Sequence, residues 1–137
     1  MLRDNARPTL PPPHAMPLRY LDFDYSEDFE GTGTFDAMAA VAPAQVAVLH
    51  AEVAQVLAWA HAQFPGMNGP TDEGGEWDYD LSAVQEVATP LDLAFDDASS
   101  TIAVQAGTPG PARTTLTLSI SGSSMFCSAL REAFALD

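Results

Sequence analysis

The chain has 137 residues, a length that suits one domain. Its 47% apolar content is that of a globular protein and argues against wholesale disorder. Nineteen Asp and Glu stand against five Arg and no Lys, a net charge of −14 that repels nucleic acid and anionic lipid and attracts basic proteins, basic peptides and cations.

The single cysteine, Cys127, excludes an intramolecular disulfide framework and a thiolate zinc site. The start of the chain has no apolar run of the secretory kind, and no stretch reaches the roughly 18 apolar residues of a membrane span. The expectation is a soluble, cytoplasmic protein without membrane contact.

Residues 1–17 carry five prolines and little to pack, which predicts a disordered, partly extended tail ahead of a single domain over 18–137. In "LRYLDFDYS", Leu21, Phe23 and Tyr25 alternate with Asp22 and Asp24, the period of a strand. "TGTFDAMAAV" alternates again, so 18–41 is expected to be a β-hairpin. A helix from Asp36 is the competing reading, because alanine favours helices.

Pro43 suits a first helical turn. Beyond it Leu49, Val53, Val56, Ala60 and Phe64 recur at helical spacing, predicting a helix over 44–64 that ends at Pro65 and Gly66. Its thin polar face suits burial or a homo-oligomer contact, with Trp59 as an anchor. A Gly- and Pro-rich loop follows. Then "EWDYDLS", "PLDLAFD", "TIAVQAG" and "TTLTLSISG" read as four short strands joined by turns. "SSMFCSALREAFAL" returns to helical spacing, with Ser123 or Ser124 as N-cap.

The element order is therefore ββ-α-ββββ-α. It predicts an α+β two-layer sandwich: a roughly six-stranded antiparallel sheet with two helices on one face and the other face open. Alternation sends Trp77 and Tyr79 under the helices and Asp78 and Asp80 outward. Asp22, Asp24, Asp36, Asp92 and Asp96 join the outward set. Like charges opposite one another on neighbouring strands are destabilising, so the face is either a solvated surface or a site for a cationic partner.

Each candidate chemistry has a plainer alternative. Asp22, Asp24, Asp78 and Asp80 are hard oxygen ligands suited to Ca²⁺, Mg²⁺ or Mn²⁺, in a structural or hydrolytic role. An EF-hand counted from Asp22 fails, since Glu27 stands at position 6 and Gly33 at position 12. His50 and His61 lie eleven residues apart on one helix, about 16 Å, too far to share an ion. Cys127, in the first turn of the last helix, reads as a buried thiol, with a lowered pKa as the reactive alternative. "SGSS" caps a helix and lacks the lysine of a phosphate loop.

No catalytic pair stands out. The leading expectation is a non-enzymatic interaction module, of inhibitor, immunity or chaperone type, needing no cofactor, whose acidic face binds a basic protein or peptide. The alternative is a divalent-cation site at the four aspartates.

Overall fold

The computed structural model describes residues 16–136. The elements are β1 (Asp24–Glu27), β2 (Gly33–Val41), α1 (Val46–Gln63), β3 (Trp77–Glu86), β4 (Leu91–Asp96), β5 (Thr101–Ala106), β6 (Arg113–Gly122) and α2 (Ser124–Phe134). This is the α+β class, with two helices and antiparallel strands.

The six strands are divided. Four form one sheet in the order β1-β2-β6-β3, and among the described residues β4 and β5 pair only with each other. β3 and β6 are hydrogen-bonded along their whole length, from Trp77 opposite Gly122 to Glu86 opposite Arg113. The ribbon then continues outward: Gly110 donates to the Ala88 carbonyl and Gly107 to the Pro90 carbonyl, both at 2.8 Å. β4 and β5 form the end of this arm. Pro90, Pro109 and Pro111 have no N–H to donate at the junction, which interrupts the ladder there.

Strand alternation builds the core from one face of the four-stranded sheet. Phe35, Leu118, Ile120 and Trp77 point inward with almost no exposure. Leu49, Val56 and Ala60 of α1 and Phe126, Leu130 and Phe134 of α2 close over them. The Trp77 indole stacks on Phe126, centroids 5.6 Å apart and planes 2° apart. Gly122 lies beneath that ring: a Cβ there would come within 2.5 Å of Phe126. Truncating such an aromatic costs about 3–5 kcal/mol.

Several expectations shift. The first strand begins at Asp24 rather than near Leu18, because residues 19–21 turn their N–H groups to Glu52. β3 runs on to Glu86, past the point where Ala83 and Val84 break its alternation. The Pro-rich tail lies outside the described residues except for Met16 and Pro17. Met16 is half-buried and donates to the Ala133 carbonyl at 2.9 Å. Trp59 is half-buried, packing edge-on to Phe64 and Phe134 and also against Phe126.

Candidate functional site: the open sheet face

The face away from the helices carries β2, β3 and β6 side chains in cross-strand rows. One row runs Asp24, Asp36, Ser119, Asp80 across all four strands. The adjacent row holds Thr34, Ser121 and Asp78. Ser119 sits between two carboxylates and donates its hydroxyl to Asp36 at 2.5 Å. Asp24 and Asp36 are directly opposite, both exposed and both formally negative. The geometry therefore brings together four of the seven aspartates assigned to this face, with Asp22 exposed just before β1.

Further along the strands the face changes character. Met38, Thr117 and Ser82 form one row, and Ala40, Thr115 and Val84 the next. At its far end Arg113 opposes Glu86. Arg113 is six residues from Ser119, about 20 Å along the strand. β6 starts one residue before the stretch "TTLTLSISG", which adds Arg113 to the open face.

Asp92 and Asp96 do not belong here. They pair with Gln105 and Thr101 on the arm, and Asp96 accepts the Ala98 N–H at 3.0 Å, ordering the arm's turn. The cation-site quartet is also divided. Asp24 is on one edge strand and Asp78 and Asp80 on the other, three strand spacings or about 14 Å apart. These four carboxylates do not converge on one ion, and among the described residues no group of three His, Cys, Asp or Glu does.

Two features escaped the sequence reading. Glu52 is buried in α1, and its carboxylate accepts the N–H groups of Arg19, Tyr20 and Leu21 at 2.8, 3.0 and 2.7 Å. It clamps the segment before β1 onto the helix. The signal was present as the one carboxylate in the eighteen residues of α1. The second feature is a stack at the β1 edge. The Arg131 guanidinium lies 3.8 Å from the centre of the Tyr25 ring, and the Tyr25 hydroxyl donates to Glu27 at 2.9 Å. Burial, with the Glu27 hydrogen bond second, pushes the Tyr25 phenol up to about 12.

Cys127 lies beside this stack, buried, with its thiol directed to the Gly122 carbonyl. Burial pushes its pKa up, against the lowering expected of a helix start. Ser123 is the N-cap, accepting from the Phe126 N–H at 3.2 Å and donating to Glu76, so its polar atoms are engaged in the fold. His61 rests edge-on against Trp77 and His50 is exposed, each alone.

No helix among the described residues is long and apolar enough to cross a membrane. No protein-family model, curated protein or solved structure matches the chain.

Proposed function

We propose that this protein is a non-enzymatic interaction module whose acidic sheet face receives a basic segment of another protein. The observation that carries this reading is the row Asp24, Asp36, Ser119, Asp80, flanked by Asp78. Carboxylates directly opposed across strands destabilise the fold that holds them, and a cationic side chain laid over the row would relieve that repulsion. The rows beside it, with Met38 and Val84 exposed at 67% and 59%, add apolar contact for the same segment. An open face also lacks the water-excluding cleft that general acid–base chemistry uses.

The test is titration of a fluorescent Arg/Lys-rich peptide in low and high salt. Two charge-matched double variants separate site from bulk field. Asp78→Lys with Asp80→Lys reverses the face. Asp72→Lys with Glu73→Lys makes the same charge change in the loop before β3. The face variant is expected to weaken binding at least tenfold, and the loop variant by less than threefold. Equal losses from both would reduce the interaction to the overall field of the molecule and remove the proposal.

A further inference from the structure

The arm is built for a neighbour that none of the described residues supplies. Its strands alternate, and the register places Leu93 opposite Val104 and Phe95 opposite Ile102, so one face of the ribbon is apolar. In water a lone two-stranded hairpin is marginal, and a period-2 strand is the pattern of a ribbon covered on one side. Yet Leu91, Leu93, Phe95, Ile102 and Val104 are 56–65% exposed.

A complementary deficiency lies at the other side of the fold. Among the described residues, β3 has a strand partner on one side only, apart from the bridge from Asn68 to Trp77. Its helix-facing residues Tyr79 and Leu81 remain 39% and 43% exposed. Between this edge and α1 runs an open groove of about 420 Å³, floored by Leu81 and Leu116 and walled by Val53, Ala54 and Leu57. The layer is one strand short at this position. An added strand with one apolar and one acidic side fits it, its apolar side under α1 and its acidic side continuing the open face.

The arm cannot fill its own groove. Its base is hydrogen-bonded across the ribbon at Ala88 and Pro90, so it runs away from β3 instead of folding back. We propose that a second copy of the chain seats its β4–β5 arm in the groove between α1 and the β3 edge, and offers its own groove in return. The exchange is reciprocal and closes on a two-fold axis. Each arm side chain offers roughly 100 Å². With the uncovered residues of β3, each copy contributes on the order of 650 Å², at the lower end of the share of a standard stable interface. Two molecules of net −14 repel each other, but the surfaces brought into contact here carry no opposed carboxylates: among the described residues no Asp or Glu lines the groove, and none lies on the arm's apolar face.

The test is mass by light scattering, with cross-linking through one added cysteine per chain, the native Cys127 being buried. The wild type is expected at twice the chain's 14.5 kDa. The double variant Leu93→Asp with Phe95→Asp changes only exposed arm residues and is expected at the single-chain mass with an unchanged circular dichroism spectrum. Separately, Ala54→Cys and Val104→Cys chains are mixed with a short bis-maleimide. A crosslinked dimer is expected from the mixture and not from either variant alone. A monomeric wild type at about 100 µM overturns the proposal, as does a dimer whose mass the arm variant leaves unchanged. If the arm variant fails to fold, the mixing experiment decides by itself, and its failure to cross-link overturns the proposal.

Discussion

Glu52 is the one carboxylate of α1, and three backbone N–H groups converge on it. Hydrogen bonds to a charged group are the strong kind, and orphaning buried donors adds their desolvation cost. Glu52→Gln keeps the size but loses the charge and presents an amide donor where an acceptor is needed. It is expected to lower the stability of the fold by about 1–3 kcal/mol in urea unfolding, and to speed exchange of the amides of residues 19–21. Unchanged exchange there would mean that the clamp is not formed in solution. Tyr25 gives a pH signature with a definite sign. The folded phenol keeps its proton to about 12, whereas the unfolded phenol loses it near 10. This contribution to stability is complete below pH 10 and lost as pH rises from 10 to 12. Cys127, its pKa also raised, adds a loss of the same sign above pH 9. Tyr25→Phe is therefore expected to shrink, without abolishing, the drop in unfolding free energy between pH 9.5 and 11.5. The same buried thiol is expected to react with a thiol reagent at pH 8 only as fast as the protein unfolds.

Among the elements, period decided what could be read in advance. The stripe of α1 from Leu49 to Ala60 predicted both the helix and its buried side, since the contacts that define it lie within the same few turns. Alternation likewise assigned Phe35, Trp77, Leu118 and Ile120 to the core face. Pairing was not legible, because the same alternation describes a strand inside a sheet and one on a projecting ribbon. The departure of β4 and β5 is marked only by Pro90, Gly107, Pro109, Gly110 and Pro111, whose punctuation looks like that of any loop. Strand order was equally hidden. It puts β6 between β2 and β3, and this is what unites Asp36 with Asp80 across Ser119 while holding Asp24 and Asp80 at opposite edges. The resulting repulsion has a measurable consequence. Asp36→Asn removes a charge facing Asp24 and still accepts the Ser119 hydroxyl. It is expected to stabilise the fold by up to about 1 kcal/mol in low salt. The gain should fade in about 1 M salt, where screening acts within about 3 Å. A loss of stability in low salt would show that the carboxylate is structural.

The whole molecule carries fourteen net negative charges on 137 residues, and self-repulsion of that size weakens the compact state at low ionic strength. Two kinds of cation effect follow, and they differ in form. Screening acts through ionic strength and is nearly blind to ion identity at matched values. A bound ion acts by mass action, raising the midpoint with its own concentration beyond any screening. The distribution of carboxylates decides between them. Asp24 and the pair Asp78 and Asp80 stand about 14 Å apart across four strands, too far to enter one coordination shell with ligands at 2.3–2.6 Å, the range for Ca²⁺. Thermal unfolding is therefore expected to give the same midpoint in millimolar Ca²⁺, Mg²⁺ or Mn²⁺ as in NaCl of matched ionic strength, each compared with the chelator baseline. All four salts should raise it together. One divalent ion standing several degrees above the others would require carboxylates to gather in a way the sheet does not allow, and would move the cation site ahead of the basic partner.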